Sequence, residues 1–243
     1  MGRLLTRADA ARLAIAGAAA TGCVAAWLAL GSGGHDVAHP HGSASPYLPT
    51  VAIWTAMVVA MMTPTALPWV LAFHRLLEHA EAVRRSPGAG TAAFAAGYLV
   101  VWLAFSAAAA AVQSGLAMRG ALAGGQLASM AGGAVLIAAG VFQFSSWKQA
   151  CLSHCRNPIS YFLTRWRNGP TNGFRMGVAH GGYCLGCCWL TMATGFAMGV
   201  MNVAWMAALT AVIAAEQVAP ARLRVDRAAG AGFVAWGLWL IAR

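Results

Sequence analysis

Long apolar runs, separated by short basic segments, follow one another along the whole chain. Of the 243 residues, 60% are apolar and 9% are charged, whereas a soluble domain carries about 45–50% apolar and about 25% charged residues. So few charged side chains would leave a water-facing surface uncovered, and the apolar excess must therefore face lipid. We interpret residues 1–243 as a single membrane domain without a separate soluble domain.

The lengths of the apolar runs predict an all-α, polytopic transmembrane helical bundle. A helix needs about 20 residues to cross the ~30 Å hydrocarbon core of a bilayer. Six runs are long enough, and a seventh is short and would need a thin bilayer or a deeper start. The runs are 13–30, 50–73, 91–113, 121–145, 174–198 and 203–219, followed by the short run 228–242.

The first apolar run and the segment between the fourth and fifth runs allow two further predictions. The first run, 13–30, is longer than the apolar region of a cleaved signal peptide, which indicates a retained helix. Residues 146–173 form a long cytoplasmic segment, in which Trp147 and Trp166 suit the headgroup region of an interfacial helix. We therefore predict about seven transmembrane helices and one interfacial segment.

The distribution of basic residues predicts the orientation of the bundle. Fourteen of the 16 Lys and Arg residues fall in the termini and loops on one side, and only Arg119 and Arg243 fall on the other. Cytoplasmic loops carry the excess of basic residues, so the N-terminus is expected in the cytoplasm. Because the charges are scattered between apolar runs, the net charge of +10 reflects topology and not binding to nucleic acid.

One cysteine cluster lies in the fifth run and shares a helix face with a histidine. At 100° per residue, His180, Cys184 and Cys187 fall within an arc of ~60°, with Cys188 at its edge. Thiols this deep in a membrane suit a soft ion of low charge, so Cu(I) is the leading candidate. Alternatively, these cysteines only pack in the interior and bind nothing, because free cysteines are ordinary buried residues.

A second cluster precedes it, in the predicted cytoplasmic segment. Cys151, His154 and Cys155 share one face if this segment is helical. A mixed sulfur and nitrogen site results if the segment folds back onto the fifth helix, and zinc is then the alternative metal. A disulfide between Cys151 and Cys155 is disfavoured, because both face a reducing cytosol.

Secondary metal-ligand candidates extend from these clusters toward the outer side. Two methionines precede Pro64 in the second run and another lies in the turn between the fifth and sixth runs, while three histidines lie in the predicted external loop. These residues are Met61, Met62 and Met201, and His35, His39 and His41. Packing for the methionines, and a plain polar loop for the histidines, remain the alternatives.

Glu216 is the acidic residue inside a late helix. A carboxylate within a membrane is costly to leave charged, which makes it a functional candidate. Alternatively, Glu216 forms an ion pair with Arg175 or Arg222.

Several motifs together resemble a bacterial family of predicted metal-binding integral membrane proteins. They are Met61-Met62-Thr-Pro64, Cys151-Leu-Ser-His-Cys155 and His180-Gly-Gly-Tyr-Cys184-Leu-Gly-Cys187-Cys188-Trp189, with Gln143, Lys148 and Glu216. The resemblance covers most of the chain after the first run. It implies a multi-pass protein of the bacterial cytoplasmic (inner) membrane, whose metal ligands are the clustered cysteines and His180.

Three functions remain open at this stage. The first is a membrane protein that handles Cu(I), in transport, delivery or insertion, and that acts with a metallochaperone or a larger membrane protein complex. The second is a membrane thiol-disulfide oxidoreductase, since Cys184-Leu-Gly-Cys187 has the spacing of a redox pair. The third is a non-catalytic subunit of a larger membrane complex that holds a structural metal. The chain has no ATP-site motif, and we favour a protein that is not an enzyme.

Overall fold

The computed structural model describes residues 2–38, 47–79, 87–123, 126–166, 170–200 and 202–243. Within these ranges the chain is helical except for turns and one short hairpin, which confirms the all-α prediction. The helices are α1 (Gly2–Ala38), α2 (Tyr47–His79), α3 (Pro87–Met118), α4 (Ser129–Gln143), α5 (Ser146–Arg156), α6 (Pro158–Arg165), α7 (Pro170–Ala193), α8 (Gly195–Met198), α9 (Val203–Val218) and α10 (Val225–Ala242). Strands β1 (Leu122–Ala123) and β2 (Gln126–Leu127) pair antiparallel between α3 and α4.

The described residues contain fewer membrane-length helices than the seven predicted. Three segments are long and apolar enough to cross a bilayer, namely Asp9–Ser32, Tyr47–Glu78 and Pro87–Met118. A fourth arises if α4 and α5, which meet at an angle of 65°, form one broken span.

Local structure explains much of this difference in number. The predicted run 121–145 opens with the β1–β2 hairpin, so α4 begins only at Ser129 and has 15 residues. Helix α9 has 16 residues, fewer than the roughly 20 that a span needs. Helix α7 has 24 residues but carries Arg175 and His180 within its apolar sequence.

Helices α3 and α7 run parallel and touch backbone to backbone. Gly97 faces the carbonyl oxygen of Phe174, and Gly177 faces that of Phe94. A Cβ atom at either glycine would collide with that oxygen, so only glycine permits this approach. The close crossing fixes the first half of α7, which carries His180 and leads directly into Cys184.

Helix α5 lies against α7 because the chain bends after α4. Helix α4 is held antiparallel to α10 through its own glycines, with Gly140 facing the carbonyl oxygen of Gly230. The chain then turns by 65°, and the side chain of Ser145 caps α5 by accepting a hydrogen bond from the Lys148 backbone N–H at 3.1 Å. The bend directs α5 onto α7 and α9.

Candidate metal centre

The two cysteine clusters meet between α5 and α7. Cys155 from α5 lies within hydrogen-bonding reach of the thiols of Cys184 and Cys187, and Cys184 also contacts the thiol of Cys188. All four side chains are buried, with at most 3% of each residue exposed. The structure thus places four thiols, from segments nearly 30 residues apart in the chain, in one apolar interior.

The thiols of α7 are turned toward their own helix. Cys187 Sγ lies 3.1 Å from the carbonyl oxygen of Cys184 and Cys188 Sγ lies 2.9 Å from it, so both donate to the same acceptor. Such bonds to the preceding turn are typical of small polar side chains in helices. The hydroxyl of Tyr98, from α3, lies 3.5 Å from Cys184 Sγ.

These orientations explain why the thiols are neighbours without forming a coordination shell. In the part of the chain that the structure describes, no group of three or more His, Cys, Asp or Glu side chains is arranged to hold a metal ion. Rotation of Cys187 and Cys188 about χ1 would release both thiols from the Cys184 carbonyl and turn them to other directions. These sulfur donors suit a soft metal, but in the structure the thiols of Cys187 and Cys188 are turned toward the helix backbone and not toward a shared metal position.

Cys151 lies at the edge of this cluster and is partly exposed. Its thiol interacts with the indole N–H of Trp147 and lies close enough to Cys187 for an electrostatic interaction. A Cβ atom at Gly186 would lie 2.8 Å from Cys151 Sγ, so this glycine makes room for the thiol against α7. Cys151 is the site cysteine nearest to the outside of the protein.

The two histidines of the site have different surroundings. His180 is buried with its ring stacked on Trp69 at 3.8 Å between centroids, and its imidazole interacts electrostatically with Cys184. His154 stacks on Tyr183 at 4.2 Å, and its Nδ1 lies 2.8 Å from the carbonyl oxygen of Ala150. Because a carbonyl only accepts, Nδ1 of His154 donates this hydrogen bond, which leaves Nε2 as the ring nitrogen that is not engaged in it.

Aromatic side chains form the wall of the site toward α2 and α6. The indole of Trp69 donates to the carbonyl oxygen of Cys155 at 3.2 Å and packs edge-on against Tyr161. The hydroxyl of Tyr161 donates to the carbonyl oxygen of Met176 at 3.2 Å, and burial raises the pKa of Tyr161 to about 12. Tyr161 is therefore neutral at physiological pH, and this wall is structural. Trp69 was not identified from the sequence, because nothing local marks it.

The described methionine candidates share the apolar core with the thiols. Met61 and Met62 are each 1% exposed and belong to the same buried cluster as Cys155, Cys184, Cys187 and Cys188. Three further methionines belong to it as well, namely Met57, Met192 and Met206. Of the other candidates, His39, His41 and Met201 lie outside the described residues, as does the side chain of His35.

Glu216 forms its ion pair with Lys148, and neither Arg175 nor Arg222 takes this place. The Lys148 ammonium donates to Glu216 Oε2 at 2.7 Å, and the two side chains are 0% and 1% exposed. The partner was missed because it lies 68 residues away in sequence. One signal was available: Lys148 is the only lysine among the chain's 16 basic residues.

Comparison with known proteins gives one match. No curated protein and no solved structure shows significant similarity to the chain. The model of the PpoB2 family, described as copper chaperone, matches residues 51–240. This range covers more than half of the chain and contains the clustered cysteines, both site histidines and the Lys148–Glu216 pair, so the expected metal-related family is confirmed. The chain belongs to the PpoB2 copper chaperone family.

Proposed function

We propose that this protein is a membrane-embedded copper chaperone that carries Cu(I) between the thiols of α5 and α7. The observation that supports this most directly is the meeting of Cys155 with Cys184, Cys187 and Cys188 in an apolar interior. Thiolates and thioethers are the ligands that favour Cu(I). The copper ion is cargo here, received and passed on by ligand exchange.

Charge favours Cu(I) over Zn(II) at this depth. Two thiolates around Cu(I) leave one net negative charge, whereas the four thiolates of a structural zinc site leave two. Each uncompensated charge in an apolar interior is costly. A site formed by buried thiols, with Met61 and Met62 in the same core, therefore suits the monovalent ion better.

The partly exposed Cys151 is the point of exchange in this proposal. It lies between the surface and Cys187, so an incoming ion meets this thiol first and then moves to the buried ones. His154, three residues further along α5, binds the Ala150 carbonyl oxygen through Nδ1 and so leaves Nε2 available as a second ligand. A metallochaperone or a larger membrane complex that docks at this edge would deliver or receive the ion.

Membrane placement completes the proposal. Segments of α1, α2 and α3 are long and apolar enough to cross a bilayer. We place the protein in a bacterial inner membrane with the N-terminus in the cytoplasm, because the basic residues concentrate on that side. The thiol cluster then opens toward the cytoplasmic half of the membrane.

The test is Cu(I) binding by purified, reduced protein, measured by metal analysis and by competition with a chromogenic Cu(I) chelator. We expect about one copper ion per chain for the wild type and its loss in a Cys155→Ser/Cys184→Ser double variant. Cys23→Ser is the matched control. Its thiol lies 3.3 Å from the carbonyl oxygen of Ala60, in the contact between α1 and α2, and it should bind copper as the wild type does.

Other results would redirect the interpretation. Zinc recovered in place of copper, lost in the same double variant, would indicate a structural zinc site. Reversible oxidation of Cys184 and Cys187 by a quinone, without copper binding, would support the thiol-disulfide oxidoreductase. Wild-type protein that binds no metal even after loading with Cu(I) would overturn the proposal.

A further inference from the structure

The function proposed above makes no use of a polar cavity between α6 and the start of α7. The cavity has a volume of about 380 Å³, at the lower end of the range of roughly 300–1,000 Å³ that is typical of small-molecule sites. Thr164, Arg165 and Trp166 line it from the side of α6, and Asn172 and Arg175 line it from α7. Two arginines from different helices thus share one cavity.

The positive charge of this cavity has no acidic partner. The chain contains no Asp or Glu between residues 82 and 215. Both Arg165 and Arg175 are exposed, and neither of them forms an ion pair within the described part of the chain. Two guanidinium groups that line one cavity repel each other unless an anion lies between them. The cavity is therefore complementary to a negatively charged ligand.

Aromatic rings position Arg165 without using its hydrogen-bond donors. The guanidinium carbon of Arg165 lies 5.7 Å from the ring centroids of both Tyr161 and Tyr183. A cation–π contact depends on the charge and the face of the ring, so it leaves the N–H groups able to donate elsewhere. A planar guanidinium binds phosphate through two parallel N–H···O bonds. Phosphate is therefore the anionic group that suits this cavity.

The packing of α7 on α3 places the cavity level with one end of a membrane-length segment. A Cβ atom at Gly173, between Asn172 and Arg175, would lie 3.0 Å from the carbonyl oxygen of Gly90. The start of α7 is thus level with the start of α3, where the apolar segment Pro87–Met118 begins. In the proposed membrane, this is the headgroup level of the leaflet on the predicted cytoplasmic side.

Exposed apolar side chains of α6 accompany the cavity. Ile159 and Leu163 lie four residues apart on one face of α6 and are 64% and 71% exposed, whereas Tyr161 and Phe162 are buried. A helix that combines an exposed apolar face with basic side chains is typical of segments in the interface of anionic membranes. A phosphate ion in solution would contact only the polar groups and leave Ile159 and Leu163 in water. The combination favours a lipid over a soluble anion.

We propose that the cavity between α6 and α7 binds the phosphate group of an anionic phospholipid, with Arg165 and Arg175 as its hydrogen-bond donors. The acyl chains of this lipid extend toward the exposed apolar side chains of α6. The inference rests on the membrane placement in the proposed function and is independent of copper binding.

The experiment is native mass spectrometry of the full-length protein, purified in detergent and freed of lipid and metal. The protein is titrated with phosphatidylglycerol and, separately, with phosphatidylcholine that has the same acyl chains. Both lipids carry a phosphate, but only phosphatidylglycerol has a net negative charge. We expect the wild type to bind phosphatidylglycerol more tightly.

Removal of both charges should abolish this preference. Arg165→Gln/Arg175→Gln should weaken phosphatidylglycerol binding on the order of 25-fold, about fivefold for each arginine, and leave phosphatidylcholine binding unchanged. Arg165→Lys/Arg175→Lys keeps the charge and loses the planar fork, so an intermediate loss is expected. The lysine variant also provides the test if the glutamine variant fails to fold, which thermal unfolding would show.

Arg222→Gln/Arg227→Gln is the matched control. It removes the same charge from two exposed positions, one in α10 and one just before it. These arginines belong to the same predicted cytoplasmic side, so they respond equally to any general attraction between the protein and anionic lipid. The control should bind phosphatidylglycerol as the wild type does.

Three results would overturn the lipid site. Equal weakening by the two glutamine double variants would assign the binding to overall charge. Equal affinity of the wild type for both lipids would assign it to the acyl chains alone. Displacement of phosphatidylglycerol by an equal concentration of inorganic phosphate would make the cavity a site for a soluble anion.

The proposed function fails in different ways. Absence of Cu(I) binding would overturn the copper chaperone and leave this site intact, because the lipid titrations use metal-free protein. Recovery of the protein from the soluble fraction of cells would overturn the membrane placement on which both proposals depend.

Discussion

The site cysteines differ in their exposure although they lie close together. Cys151 is partly exposed, whereas Cys155, Cys184, Cys187 and Cys188 are buried. A reagent reaches a buried thiol only when the surrounding structure opens. This difference gives each thiol a reactivity that can be measured on the folded protein.

We predict that a small maleimide alkylates Cys151 well before the four buried thiols in the native, reduced protein. Mass spectrometry of the labelled peptides after short reaction times would give the order. Cys23, also partly exposed, is the internal control and should react without regard to copper. Protection of Cys151 by Cu(I) would place it on the exchange path, and rapid labelling of Cys184 in the native state would contradict the closed arrangement.

Local sequence patterns predict only part of the site. The spacing on one helix brings Cys184, Cys187 and Cys188 within a turn of each other, because the helix itself enforces it. No local pattern could join Cys155 to them or Lys148 to Glu216. Those contacts depend on the 65° bend between α4 and α5, which is a property of the packed bundle.

At the scale of elements, the crossing of α3 and α7 determines where the site lies. Gly177 on α7 allows the backbones to touch, and nothing near Gly182 on the same helix requires a glycine. Small residues at such crossings are what hold helices together in lipid, where the hydrophobic effect does not. The two glycines therefore form a matched pair for mutation.

We predict that Gly177→Ala destabilises the protein by roughly 1–3 kcal/mol, since its Cβ would overlap the Phe94 carbonyl oxygen. Gly182→Ala has open space around its Cβ and should be neutral or slightly stabilising, because alanine is the better helix former. Thermal unfolding in detergent, followed by circular dichroism, compares the two. Similar effects of both substitutions would argue against the close crossing.

The helical class was predictable from the sequence, but the number of membrane-length helices was not. Apolar run length locates α1, α2 and α3 well, because each is continuous over 32 residues or more. It fails over 121–145, where apolar residues also form a hairpin and the first part of a bent helix pair. Hydropathy reports which residues avoid water and not where a helix begins.

For the whole molecule, the distribution of basic residues predicts the direction in which the proposed membrane bundle is inserted. An excess of basic residues in the termini and loops of one side would make transfer of that side across a membrane unfavourable. The antiparallel α1 and α2, joined where Trp27 donates to the Ala60 carbonyl oxygen at 3.2 Å, place the N-terminus and the end of α2 on the same side.

We predict that a reporter fused to the N-terminus is active only in the cytoplasm and that one inserted in 39–46 is active only outside. Paired cytoplasmic and periplasmic reporters in a bacterial host would measure this. Insertion in 80–86 is the matched control and should match the N-terminal fusion. The opposite pattern would contradict the predicted orientation and would place the thiol cluster toward the outer side of the membrane.

The bend between α4 and α5 also has a mechanical consequence. The four thiols come from two helices: Cys155 lies on α5, which follows the bend, and the other three lie on α7, which is fastened to α3 by glycine contacts. A displacement of α5 along α7 would change the distances from Cys155 to the other three thiols and leave the distances within α7 unchanged. The packing of α5 on α7 therefore determines the distance between Cys155 and the other three thiols, and a change in that packing requires no helix to unfold.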